Sequence, residues 1–178
     1  MDEYAAGAIA GLLAEKNVDA LYLPQLWFSE DRKRLLMDTG QGWLGRDTTG
    51  RSDQKWLTYD GTKYLGAGSP DSVAVVVEDP FSYYKVKWAL REQRGYTVYC
   101  ALGTVARPVL ALKLALHQLC IFFLDGDAPG YRGADAGVKR MRGLGTKALA
   151  RCAPVGMDPK DMAAQAIREH LYDAVHFS

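Results

Sequence analysis

The run "SVAVVVE" (residues 72–78) constrains this chain more than any other stretch. Consecutive β-branched residues without polar alternation suit a strand covered on both faces, as in a parallel sheet flanked by helices. Asp79-Pro80 follows at once, an N-cap residue and then the residue best tolerated at the first helical position, so a helix is predicted from there toward Gly95. The pattern then repeats. "YTVYCAL" (96–102) reads as a second strand, "RPVLALKLALH" (107–117) as a helix opened by Pro108, and "LCIFFL" (119–124) as a third strand. Asp127-Ala-Pro129 caps another helix, stopped by "GLG" (143–145). "KALARCAPV" (147–155) gives a fourth strand, and "DPKDMAAQAIREHLYDAV" (158–175) a last helix with Met162, Ala166, Ile167 and Leu171 at helical spacing. Repeated strand–helix–strand units predict an α/β fold with a four-stranded parallel sheet and helices on both faces.

The first 70 residues follow another pattern, predicting a small α/β subdomain. A helix over about 4–16 is followed by "RKRLLMDTGQGWLGRDTTGRSDQKWLTY", which suits short antiparallel strands joined by turns at Thr39-Gly40-Gln41-Gly42 and Thr49-Gly50. The glycines and proline of "GAGSPD" (66–71) suit a linker, dividing the chain into 1–70 and 71–178.

With 178 residues, 48% of them hydrophobic, the chain can bury a full core. Cys100, Cys120 and Cys152 form no C-x-x-C pair and sit in or beside apolar runs, as reduced buried thiols do, so a cytoplasmic protein without a zinc site is expected. Asp2 and Glu3 replace the basic start of an export signal, and "AAGAIAGLLA" is too short to span a bilayer, so no membrane association is expected. Residues 130–151 hold six basic residues against one acid, a patch suited to a polyanion or simply to a solvated helix face. His117, His170 and His176 carry no evident chemistry.

In a doubly wound sheet, ligands bind beyond the carboxyl ends of the strands, where the strand order reverses. Glu78 ends the first strand and Asp125 the third; with the common order 2-1-3-4 these strands are neighbours, and Glu78, Asp125 and Asp127 converge. Three such carboxylates repel unless a cation joins them, and an all-oxygen set suits Mg²⁺ or Mn²⁺. Gly126 would let the backbone bend so that both aspartates face the ion. The same residues also fit an ordinary strand end, Asp125, followed by an N-cap, Asp127, and spacing alone leaves both readings open.

"VVVEDPFSYYKV", "YCALGT", "FFLDGDAPGYRGAD" and "MDPKDM" together resemble, in order and spacing, the TOPRIM domain of bacterial-type DNA primases, type IA and II topoisomerases and some small nucleases. A glutamate after the first strand and a D-x-D after the third mark that family, matched here by Glu78, Asp125 and Asp127. The "VEDPFSYYKV" form is most similar to stand-alone, primase-like TOPRIM proteins of tailed bacteriophages. "GWLGRDTTGRSDQKWLTY" resembles the segment preceding TOPRIM in the primase catalytic core, with Arg46 and Lys55 at its arginine and lysine positions.

The resemblance implies RNA primer synthesis on single-stranded DNA from ribonucleoside triphosphates, in the host cytoplasm if phage-encoded. It implies two Mg²⁺ or Mn²⁺ ions held by Glu78, Asp125, Asp127 and Asp158, the last with Asp161 as a substitute. Arg46 and Lys55, on the neighbouring subdomain, would meet triphosphate or template phosphates, with Arg132, Lys139 and Arg142 as further template contacts. The chain departs from the family in two respects. No cysteine precedes Cys100, and no G-x-x-x-x-G-K-[ST] loop occurs, so a zinc-binding or other replisome protein and a helicase would be separate partners. Asp79 and Ser82 stand where many members have glycine and a further acid. A small TOPRIM nuclease and a non-catalytic nucleic-acid-binding or replisome-binding module remain as alternatives.

Overall fold

The computed structural model describes residues 3–59 and 61–176; Asp2 and the side chains of Glu3, Tyr4 and His176 lie outside the described residues. The chain divides into two compact units, Met1–Thr62 and Lys63–Ser178. Among the described residues no helix is long and apolar enough to cross a membrane.

The first unit holds helix α1 (Glu3–Glu15), a 3₁₀ turn at Ala20–Tyr22, and four strands, β1 (Leu26–Ser29), β2 (Arg34–Asp38), β3 (Trp43–Asp47) and β4 (Trp56–Thr58). The strands pair antiparallel in sequence order. Alternation in β2 and β3 buries Leu35, Met37 and Leu44 completely. The turn between them closes as Thr39 donates to the Gly42 carbonyl from its backbone N–H (3.1 Å) and its hydroxyl (2.7 Å). Buried Arg34 donates to the Gly45 carbonyl (3.1 Å), the Ser52 hydroxyl (2.9 Å) and the Gln54 carbonyl (3.0 Å), fastening the loop that precedes β4.

The second unit contains β5 (Val73–Val77), α2 (Pro80–Ala89), β6 (Tyr96–Cys100), α3 (Pro108–Leu114), β7 (Leu119–Phe122), α4 (Ala128–Gly143), β8 (Lys147–Ala150), a 3₁₀ turn at Pro159–Asp161 and α5 (Ala164–His176). All four strands are parallel, in the order β6-β5-β7-β8, the second, first, third and fourth strands of the unit. Val75, Val76, Val77 and Ile121 are fully buried, each contributing about 1.5–3 kcal/mol. Ala74, Val76, Tyr99, Cys120 and Phe122 form a core with Leu110 and Leu114 of α3 and Ala134 and Met141 of α4. Helices α2 and α5 pack together on the other face, where the Phe123 ring lies 5.3 Å from His170.

Several elements end earlier than the sequence reading, α2 at Ala89 rather than near Gly95 among them, and three boundaries differ in kind. The stretch 66–71, expected as a linker, lies inside the second unit: Leu65 exchanges two backbone hydrogen bonds with Cys100 (3.0 and 2.9 Å). There Gly66 (φ 113°) has no room for a side chain, since a Cβ would come within 2.4 Å of the Val98 carbonyl oxygen. The fourth strand stops at Ala150 instead of continuing to Val155, because the following residues wrap around Gly126. The last helix starts at Ala164 rather than Asp158, after the separate 3₁₀ turn.

Candidate functional site

Parallel register decides where the acidic residues fall. Val76 pairs with Phe122, so the chains leaving β5 and β7 emerge side by side at the carboxyl end of the sheet. Glu78 directly follows β5, while Phe123 and Leu124 carry the second chain three residues beyond β7 to Asp125. Phe123 still donates to the Val76 carbonyl at 2.8 Å, and Ala153 donates to that of Leu124 at 2.9 Å.

Asp125 is half-buried, and its Oδ1 is enclosed without a hydrogen-bond partner among the described residues. Burial raises its pKa to about 7; Asp79, Glu78 and, less strongly, Asp127 push in the same direction, while Lys160 opposes them. The side chain therefore holds its proton to much higher pH than an ordinary aspartate. Nearby Cys100 donates from Sγ to the Glu78 carbonyl at 3.3 Å, and burial pushes that thiol well up, so it is not a nucleophile.

The neighbouring acids are partly committed. Asp127 caps α4, its Oδ1 accepting from the Gly130 N–H at 2.7 Å, so the N-cap expectation holds, and the cap occupies one carboxylate oxygen. Asp79 caps α2, accepting from the N–H groups of Phe81 (2.8 Å) and Ser82 (3.5 Å) at Oδ1 and from the Ser82 hydroxyl (2.6 Å) at Oδ2. Ser82 thus fixes Asp79 rather than supplying a further acid. Asp158 pairs with the Lys160 ammonium through Oδ2, and Asp161 lies 3.9 Å from the same ammonium. Among the described residues no three His, Cys, Asp or Glu side chains are gathered as a ready-made metal cage.

Gly126 has a different role from the one its sequence position suggested. A Cβ there would fall 2.0 Å from the Pro154 carbonyl oxygen and 2.7 Å from that of Ala153. The glycine admits the loop after β8, which closes with Gly126 N–H to Met157 carbonyl and Gly156 N–H to Gly126 carbonyl bonds, both 2.8 Å. That loop leads to Lys160, which sequence reasoning passed over. The signal was the cation inside "DPKD" (158–161), next to the expected acid.

The basic candidates are carried by other elements. Arg46 sits in β3 opposite Trp56, its guanidinium 5.5 Å from that ring's centre. Exposed Lys55 precedes β4, and its carbonyl accepts from the Asp47 N–H at 2.9 Å. Arg132, Lys139 and Arg142 are exposed on α4. At 1.5 Å per residue, Lys139 is about 18 Å along the helix from Asp127, whereas Arg132 lies in the second turn. Glu78, Asp79, Asp127 and Lys160 thus act electrostatically on Asp125, and Asp158 pairs with Lys160, while Arg46 and Lys55 belong to the first unit and Lys139 to the far half of α4.

No protein-family profile and no curated protein matches this sequence. In three dimensions the chain is similar to the Aquifex aeolicus primase, zinc-binding and RNA polymerase domains, at TM-score 0.64 and 17% identity, covering 95% of this chain and 49% of that one. It is also similar to a DNA primase domain from Pseudomonas aeruginosa (0.61, 19% identity, 86% of this chain and 57% of that one). A third likeness is to the DnaG primase catalytic domain bound to single-stranded DNA (0.62, 15% identity, 95% and 74%). The chain spans about half the length of the first two, and at these identities what is shared is the fold, a four-stranded parallel sheet flanked by helices together with an antiparallel sheet.

Proposed function

We propose that this chain is a primase-like nucleotidyltransferase that joins ribonucleotides on a single-stranded DNA template. The observation carrying this reading is Asp125 Oδ1, a buried carboxylate oxygen without a partner, set among Glu78, Asp79 and Asp127 in a primase-type fold. An orphaned anionic oxygen in a field of acids is costly unless a cation completes it, and an oxygen-only donor set fits Mg²⁺ or Mn²⁺. Glu78, Asp125 and Asp127 would hold the metal. When bound, divalent ions supply charge neutralisation of the attacking and leaving oxygens of an in-line displacement.

The remaining roles belong to the chain's own residues. Asp125 gives up its proton as the site fills, which makes occupancy pH-dependent around neutrality. Lys160 neutralises Asp158, so Asp158 joins the donor set only by releasing that ammonium; without metal, Lys160 is the cation that tempers the cluster. Asp79 holds the start of α2 and adds negative field at Asp125. Arg46 provides a planar fork and Lys55 a point charge for triphosphate or template phosphates, and Arg132 is the α4 cation best suited to the template strand. A helicase and a start-site-selecting protein would act as separate partners.

The test is incubation with single-stranded DNA, labelled ribonucleotides and Mg²⁺ or Mn²⁺. Metal-dependent extension that Asp125→Asn abolishes, with DNA binding retained, supports the proposal. Degradation of the template would make the chain a nuclease, and DNA binding without either reaction would make it a non-catalytic module.

A further inference from the structure

Helix α3 is apolar on both sides, and only one side is covered. Leu110, Ala111 and Leu114 are buried in the core, whereas Val109, Leu112 and Leu116 are 48%, 66% and 61% exposed. Spacings of three and four residues align those three on one stripe. Leu116 extends it through the turn after α3, its N–H donating to the Lys113 carbonyl at 3.3 Å. Val105 precedes the helix at 60% exposure, and Leu144, 47% exposed, follows α4, where the Thr146 hydroxyl donates to the Ala115 carbonyl of the α3 turn at 3.3 Å. Single exposed leucines are ordinary, but a row of them along a short helix marks an interaction surface.

The charges that the stripe's own segment supplies have one sign. No Asp or Glu occurs between Glu92 and Asp125. Arg107, the N-cap residue of α3, and Lys113 in its last turn flank the stripe, and Arg140 of α4 is held against the start of the helix by a 2.8 Å hydrogen bond to the Ala106 carbonyl.

We propose that this face of α3 docks an acidic amphipathic helix of a partner protein. Apolar residues at helical spacing on the partner would cover Val109, Leu112 and Leu116, while its flanking carboxylates meet Arg107, Lys113 and Arg140. A second copy of this chain is a poor occupant, because it would set the same cations against one another. Nucleic acid is a poor occupant too: bases stack on aromatic rings, and the stripe has none.

The test uses the full chain and a fluorescein-labelled designed helix with leucines at i, i+3 and i+7 and glutamates on both flanks, read by anisotropy. Saturable binding is expected, weakened about tenfold by raised salt, as is much weaker binding of the same helix with lysines in place of the glutamates. Leu112→Ser with Leu116→Ser should raise Kd at least about tenfold, and Arg107→Glu should weaken the glutamate helix while favouring the lysine helix. These positions are exposed, so melting temperatures should hold; should the double variant melt early, Val109→Ser carries the same test. The proposal fails if neither helix binds, if both bind equally, or if the serine variants bind as the wild type does. It fails equally if light scattering finds a dimer that the serine variants dissolve, or if single-stranded DNA or anionic vesicles displace the bound helix.

Discussion

The two ends of the parallel sheet bury polar side chains and treat them in opposite ways. At the amino end His117, 4% exposed, has both ring nitrogens engaged: Nε2 lies 2.9 Å from the Tyr99 hydroxyl and Nδ1 2.9 Å from the Ser72 carbonyl oxygen. The Ser72 and Thr97 hydroxyls meet at 2.6 Å, which extends the network to a second strand. At the carboxyl end Asp125 Oδ1 is enclosed with nothing to accept from, and the nearest charges are mostly of its own sign. A satisfied buried network rigidifies, whereas an unsatisfied one costs stability and is relieved only by something from outside. One end of the sheet is satisfied scaffold, and the other leaves a buried carboxylate oxygen unsatisfied among acids.

The largest expected effect breaks the satisfied end. His117→Ala leaves the Tyr99 hydroxyl and a ring-sized space uncompensated, so it should destabilise by about 3 kcal/mol, lowering Tm by roughly 6–12 °C. A loss under about 1 kcal/mol in thermal melts would mean that the network is not the scaffold described.

Asp125→Asn tests the unsatisfied end and has the opposite sign. The folded-state pKa of Asp125 is raised from 3.8 to about 7, so its contribution to stability is full below about pH 4 and is lost as pH rises through about 7. At about pH 8 the metal-free wild type bears that cost and the asparagine variant does not. After allowance for partial exposure, the variant should gain about 2 kcal/mol there, roughly 4–8 °C in Tm, and little near pH 4. Equal melting at both pH values would show that the carboxylate is not strained.

Millimolar Mg²⁺ or Mn²⁺ should narrow the contrast by binding the folded site alone, adding about 1 kcal/mol to the wild type. The Asp125→Asn, Asp127→Asn double variant should lose that shift while keeping its fold, because asparagine caps α4 about as well as aspartate. A shift that survives in the double variant would place the metal elsewhere.

The smallest effect concerns Lys160. Its charge holds Asp125 down, so Lys160→Met should move the Asp125 carboxyl titration upward by a few tenths of a pH unit, measurable by carbon NMR. A downward movement would exclude the ammonium as the cluster's resident cation.

The local features were legible because each rests on a few adjacent residues. The β-branched run at 73–77, the caps Asp79 and Asp127 and the prolines opening α2, α3 and α4 all act over one helical turn or one strand, and each element forms where its residues predict. Where the local signal was weak, the reading was incomplete. Strand β1 has no alternation of buried and exposed residues, and it is defined by pairing with β2 rather than by its own pattern. Asp158-Pro-Lys-Asp161 resembles a helix start, but its turn is 3₁₀ and ends before α5 begins.

What the sequence determined by itself was the order of strands and helices in the second unit, where each helix cap or opening proline lies, and that acids follow two of the strands. Only tertiary structure decided that those strands are neighbours in register, that the loop after β8 presses on Gly126 and brings Lys160 to the acids, and that one oxygen of Asp125 is left without a partner. The reason is one of range: burial periodicity and caps are set within a few residues, whereas the field at Asp125 sums charges from three segments far apart in the chain. The distances among those segments exist only once the strand order is fixed.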